Sequence, residues 1–386
     1  MTTSDLPLTT NEFTWRPECR HFVGGLPCRH WRACPGCDLY DPVTRRILIV
    51  MLKRMGDMLI ASPLPARLKA EHPGAHITWV VGADSAPIVE MIPHVDRVLI
   101  WDADTAETLL AESYDAIYSF ERHPAAAGLV PRIRADHRAG LAYGGPHNSL
   151  YPIGTPARHF FAMNTWNDYR TRGNQKTWTE LYFEVAGYTY TGEPYQLKVP
   201  DRARSQVMSR LGLSGGWICL NVGGSKTTKL WPPGCWIDLG QRLLDDGNRL
   251  VITGGPGDAR VCHQLLRALD TGVGRVRHDL MTLEEFAAVP DFCEVMVTGD
   301  SLGFHLALAH DLPVVLLLGP SNGAEVVPKH ADTVTVLRSS LACSPCAHQV
   351  TCGGAGGCMD TITVDAVHAA VRNSLAPFPA RSVREG

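Results

Sequence analysis

The 386-residue sequence contains no apolar run of the roughly 18 residues that a membrane-spanning helix needs. Its opening, Met1-Thr-Thr-Ser-Asp-Leu-Pro7, lacks the positive-then-apolar layout of a secretory signal. Both absences point to the cytoplasm, with at most a peripheral seat at the inner membrane. Excess positive charge is missing too: Lys and Arg number 36, Asp and Glu 39, for a net charge of −3. That excludes the whole-chain basic footprint of a nucleic-acid binder. Charge of either sign is sparse, at 19% of residues against 45% hydrophobic. Such a composition excludes a disordered chain and leaves enough apolar material for full cores. No GxxxxGK[ST] segment occurs, so phosphate binding of the P-loop kind is excluded.

Cysteine, by contrast, is abundant. Of twelve, Cys19, Cys28, Cys34 and Cys37 lie near the start, and Cys343, Cys346, Cys352 and Cys358 near the end. The other four, Cys219, Cys235, Cys262 and Cys293, stand singly in apolar segments and read as small buried hydrophobes. In a reducing compartment the two clusters read as thiols or metal ligands rather than disulfides. Their spacings are C-x8-C-x5-C-x2-C and C-x2-C-x5-C-x5-C. Each supplies four sulfurs and one CxxC pair, the donor number of a tetrahedral zinc or an iron–sulfur site. Neither is a standard zinc-finger spacing. His21 and His30 could substitute in the first cluster, and a joint site drawing on both ends is also open. The plain alternative is reduced thiols in Gly-rich loops.

At about 100–200 residues per domain, the length suggests two or three domains. Residues 1–42 are irregular, rich in Cys, Pro, His and Arg. From 43 to 195 apolar runs of strand length (46–52, 76–81, 97–101, 116–120) alternate with helical stretches (58–71, 85–92, 105–113). Residues 144–200 read as a variable loop region with one helix near 177–186 and a linker near 192–201. The alternation restarts from 196 to 342, with strands at 217–222, 249–253, 294–298 and 313–318. A cysteine-containing loop and a helix over 365–375 occupy 343–386. Alternating strands and helices predict an α/β chain with two Rossmann-like, doubly wound domains facing a cleft. Ligands in such sheets bind beyond the carboxyl ends of the strands.

Several polar segments fall at those ends. Gly56-Asp57 follows the first strand; Asp57 could project into the cleft or simply cap a helix. Gly223-Gly224-Ser225-Lys226-Thr227-Thr228-Lys229 combines exposed backbone N–H groups, hydroxyls and two lysines, suited to a phosphate cradle or to an ordinary polar loop. Asp300-Ser301-Leu302-Gly303-Phe304-His305 opens a helix whose free N–H groups could meet an anion, although Asp300 could be only a cap and His305 only a packed residue. Asp258, just past the Thr253-Gly-Gly-Pro256 turn, could accept from ribose hydroxyls or complement a helix dipole.

From Arg46 to Val367 these segments together resemble glycosyltransferase family 9, the ADP-heptose:lipopolysaccharide heptosyltransferases. The resemblance rests on the first strand with Gly56-Asp57, on His72–Val81 (HPGAHITWVV), and on Lys229-Leu-Trp231-Pro232. It extends to Thr253–Pro256 with Asp258, Asp300–His305, and the tail Cys343-Ser-Pro-Cys346 … Cys358-Met359. It implies a GT-B fold with acceptor on the N-terminal domain and nucleotide sugar on the C-terminal one. Inverting transfer without a catalytic metal or other cofactor is implied as well. Asp57 would be the general base. Ser225, Lys229 and the helix start at Ser301–Gly303 would hold the diphosphate, Asp258 the ribose, and His305 would sit near sugar or phosphate. Gly56, Gly224, Leu302 and Asp300 complete the substrate-binding set, and the C-terminal helix would pack back on the first domain. The chain departs from the family at Met51, where many members have Lys, and at Lys53 and Arg54, where they have small hydroxyl residues. Leu302 stands where the signature glycine is usual, with Gly303 one place later. The Cys-rich start lies outside the usual pattern. Heptosyltransferases that modify autotransporter proteins carry a cysteine-bound iron element near the C-terminus, with longer spacing.

The expected reaction is therefore heptose transfer from ADP-heptose to a hydroxyl of a cell-surface saccharide or glycolipid such as the lipopolysaccharide core. Two alternatives stay open: the same fold acting on a protein or small-molecule acceptor, and a metal-bound, non-catalytic binding or assembly protein. Arg122, His123, Arg132, Arg134 and Lys176 could meet an anionic acceptor or be solvated surface charge.

Overall fold

A computed structural model describes residues 15–23, 28–270, 272, 274–349 and 357–375. Among them the first domain holds β1 (Arg45–Val50), β2 (Ala75–Val81), β3 (Arg97–Ile100), β4 (Ser113–Ser119), β5 (Arg134–Gly144) and β6 (Ser149–Ile153). The second holds β7 (Trp217–Asn221), β8 (Leu250–Thr253), β9 (Val276–Arg277), β10 (Cys293–Gly299), β11 (Val314–Leu318) and β12 (Val334–Arg338). The sheet orders are β3-β2-β1-β4-β5-β6 and β12-β11-β10-β7-β8-β9. Every pairing is parallel except β5 with β6. In register, Ile47 lies between Ile77 and Ala116, and Leu220 between Ile252 and Val297. The central strands are buried on both faces, which is why they read as continuous apolar runs. In each sheet the strand order reverses at one point, between β1 and β4 and between β7 and β10, and a crevice opens there beyond the strand ends.

The strands β5, β9 and β12 go beyond the sequence reading, and four of its expectations change. The expected helix over 58–71 is two helices, Met55–Ala61 and Pro63–Glu71. Pro63 cannot donate into a continuing helix, so it opens a new one after Ser62. Part of the expected variable region is β6 and the helix Ala157–Thr165. Pro152 obscured β6, but β6 is an edge strand, where a missing N–H is tolerated. The expected linker gives way at Asp201 to a helix, Asp201–Leu211, burying Ala203, Val207 and Leu211 along one face. Finally, the C-terminal helix Val364–Leu375 packs on the second domain's own sheet and on the helix Pro233–Asp245, not back on the first domain. Its stripe Val367, Ala370 and Val371 completes the apolar cover of that sheet, and Asp365 and His368 pair with Arg242 and Asp246.

The domains meet through helices. Met55–Ala61 packs on Leu302–Ala309, and Ala86–Glu90 on Leu283–Ala288, within one continuous apolar cluster.

Candidate functional site

Gly56 and Asp57 open the helix Met55–Ala61 directly beyond β1. The Asp57 carboxylate accepts from the Arg54 N–H at 3.3 Å. Its surroundings desolvate it, and this dominates, raising its pKa above the usual carboxylate range. Arg54 opposes the shift. Across the cleft Asp300 adds to it and Lys229 subtracts, so charges of the two domains act on each other here. Glu121, buried just past β4, accepts three backbone N–H groups, from Leu52, Arg122 and His123, at 2.7–2.8 Å. It ties the ends of β1 and β4 together under the cleft.

On the second domain, Lys229 donates to the Asp300 carboxylate at 2.6 Å and to its carbonyl at 3.1 Å; Ser321 donates to the same carboxylate at 2.5 Å. Burial alone would raise the Asp300 pKa, but Lys229 and Ser321 outweigh it and bring it down to about 2. Asp300 is thus a fixed anion that aims Lys229. Beneath it, Asn221 at the end of β7 donates to Thr298 (2.8 Å) and Ser301 (3.0 Å) and accepts from Thr253 (3.1 Å). A side chain at Gly303 would put its Cβ 2.4 Å from the Asn221 amide nitrogen. The helix Leu302–Ala309 therefore starts against Asn221, and no side chain of its N-cap residue Ser301 takes its first N–H groups. Asp258 folds back over Gly223, where a Cβ would lie 2.4 Å from its carboxylate, and accepts from the Gly255 N–H at 2.9 Å. Gly224 packs on Leu230, and Ser225 is exposed at the loop tip. Lys226 has a lowered pKa, from burial and then from Arg54, Lys229, Arg170 and Arg122. These five side chains form one positive cluster.

His305 sits at the domain contact: a Cβ on Gly56 would stand 3.0 Å from its ring, and Tyr195 packs beside it. Burial keeps it neutral, with a pKa lowered to about 4, and its Nδ1 is buried without a partner among the described residues. A second bridge joins the domains: Arg170 donates twice to the nearly inaccessible Glu325, at 2.7 Å each. Asn322 donates to the Arg170 carbonyl at 2.9 Å.

Sequence reasoning missed Glu121, Arg170, Asn221, Ser321 and Glu325. Asn221 alone left a signal, a polar residue closing an apolar strand. Of the acceptor candidates, Arg122 reaches the cleft side, on the Asn164 carbonyl at 3.3 Å. Arg134 opens β5, at the end of the sheet away from the cleft, with Arg132 two residues before it. Lys176 is paired with Glu184 at 2.8 Å, and His123 is exposed after its N–H meets Glu121.

The fold places the two cysteine clusters differently. Cys19, Cys28, Cys34 and Cys37 line one small cavity with His21. N–H groups of His30 and Leu39 point at the Cys28 and Cys37 sulfurs, both at 3.4 Å. Yet among the described residues no three Cys, His, Asp or Glu side chains converge on a point that could hold a metal ion. At the other end, Cys358 is buried under Gly319, where a Cβ would meet its sulfur at 2.6 Å, while Cys343 is exposed next to Ser344, which donates to the Gly319 carbonyl at 2.6 Å. One thiol packs the core as the other faces solvent. Cys352 lies outside the described residues.

Comparison with known proteins follows the same outline. The family model described as glycosyltransferase family 9 (heptosyltransferase) matches residues 103–354. Lipopolysaccharide heptosyltransferase 2 of Escherichia coli K12 is 24% identical over 313 residues, covering 76% of this chain and 88% of that one. A family 9 glycosyl transferase from Veillonella parvula superposes with a TM-score of 0.68 at 20% identity, over 86% of this chain and 97% of that one. Escherichia coli ADP-heptose heptosyltransferase II gives 0.65 at 20% identity, over 86% and 98%. The structural likeness shows the GT-B fold. No helix among the described residues is long and apolar enough to cross a membrane.

Proposed function

The chain belongs to glycosyltransferase family 9, and from that premise we propose that it transfers heptose from ADP-heptose to a hydroxyl of a cell-surface saccharide such as the lipopolysaccharide core. The carrying observation is the opposition, across one cleft, of a carboxylate with a raised pKa and a cationic, helix-capped loop. Asp57 stands on the acceptor side, and Lys226, Lys229 and the start of Leu302–Ala309 on the donor side. In this reading Asp57 takes the proton of the acceptor hydroxyl as its oxygen bonds to the anomeric carbon. The bond from that carbon to the diphosphate oxygen breaks in the same displacement, which inverts the centre. A raised pKa suits a base working near neutral pH. The negative charge appearing on the departing diphosphate meets the lysines and the helix N–H groups. With these cations on hand, the reaction uses no catalytic metal.

Asp258 and the exposed Ser225 are positioned for ribose and phosphate. Arg54 and Arg122 add positive charge at the cleft beside Asp57 and Lys226, which favours an anionic substrate there.

The test is sugar transfer from ADP-heptose to a heptose-deficient core acceptor. Asp57→Asn is expected to reduce turnover by about 100- to 10,000-fold while ADP still binds. Undiminished turnover in that variant, or no binding of any nucleoside diphosphate, would sink the reading. Added chelator is expected to leave the rate unchanged.

A further inference from the structure

We propose that His348, carried into the donor cleft by the cysteine-containing loop near the C-terminus, is a ligand of the donor's diphosphate; this rests on the nucleotide-sugar reading above. The loop is fastened to the segment that holds Asp300. Ser344 donates to the Gly319 carbonyl at 2.6 Å, and the N–H groups of Cys346 and Ala347 both reach the Pro320 carbonyl, at 3.1 and 2.9 Å. Ser321, next in line, donates to Asp300. At the loop's turn Ala347 and His348 both adopt left-handed backbone, with φ of 48° and 68°. Non-glycine residues pay for that conformation, and such strain concentrates where a side chain must be delivered to a place. Here the delivered side chain is the imidazole. Its Nδ1 lies 3.1 Å from the Thr228 hydroxyl, inside the loop that supplies Lys226 and Lys229.

Lys229, Lys226, Asp300 and Arg170 all lie close enough to act on the ring electrostatically. Nδ1 and the Thr228 hydroxyl share one hydrogen bond, whose direction follows the ring's tautomer. Nε2 makes no hydrogen bond among the described residues, the ring's one such contact being through Nδ1. In the tautomer where Thr228 donates to Nδ1, Nε2 carries the ring proton and can donate to a phosphoryl oxygen that Lys226 and Lys229 also attract.

The experiment measures ADP and AMP binding to the full chain and to two variants by calorimetry. His348→Gly removes the ring and suits the left-handed backbone. His348→Asn keeps a neutral N–H donor and also tolerates that backbone. His348→Gly is expected to weaken ADP about tenfold or more, with AMP and the melting temperature unchanged. His348→Asn is expected to recover part of the loss. Equal ADP affinity in wild type and His348→Gly would overturn the proposal and leave the nucleotide-sugar reading standing. A parallel loss of ADP, AMP and melting temperature would also overturn it, by assigning the ring a packing role. Wild-type protein that binds no nucleoside diphosphate would remove the reading itself.

Discussion

At the scale of single residues, the cleft is made from pairs in which one member acts and the other aims it. Asp300 is the clearest case: a buried carboxylate held ionised by Lys229 and Ser321, whose contribution is Lys229's position. Asn221 does the same for the helix start, and Gly303 exists because Asn221 fills the space a side chain would take. Gly303→Ala is therefore expected to cost about 1–3 kcal/mol of stability. The Asn221 amide, bonded to Thr298, Ser301 and Thr253, has no slack to yield. Denaturant unfolding checks this, and an effect below a few tenths of a kcal/mol would mean that the helix shifts freely.

At the scale of elements, the legible parts were those whose local chemistry and tertiary role agree. β1 and β7 were plain because both faces are buried, and the loops after them because glycine and charge follow apolar runs. The helix Asp201–Leu211 was hidden because its apolar face is only Ala203, Val207 and Leu211 among charged residues. The bridge from Arg170 to Glu325 was invisible for another reason: its partners are 155 residues apart, and neither sits in a motif. That bridge fastens the turn 169–173 of the first domain to the helix Gly323–Val326 of the second. Arg170→Ala leaves Glu325 buried without its cation, an expected loss of about 3 kcal/mol. The double variant Arg170→Ala/Glu325→Gln is expected to recover part of it. A double-mutant cycle in thermal unfolding reads the coupling, and additive effects would contradict it.

At the scale of the whole molecule, buried neutral histidines set the acid limit of stability. His305 is protonated near 6.5 when the chain is unfolded, but only near pH 4 when folded. Between those values the unfolded state binds the extra proton, so stability falls as pH drops, by up to about 1.4 kcal/mol per pH unit for one such group. Asp300 acts lower, contributing stability above about pH 3.8 that is lost as pH falls toward about 2. Melting temperature followed from pH 7 to 4 is expected to decline, less steeply in His305→Gln; parallel curves would assign the decline elsewhere. The packing of the chain's end has a consequence for biosynthesis. Gly319 rests on Cys358 and Met359, and Trp231 donates to the Ile362 carbonyl, so the floor of the Asp300 loop comes from a segment made well after the loop itself. A domain folds as a unit during synthesis, N-terminal first. The half bearing Asp57 can take shape first, whereas the half bearing Asp300 must wait until residues 358–362 have been made. A nascent chain thus completes one wall of the cleft before the other.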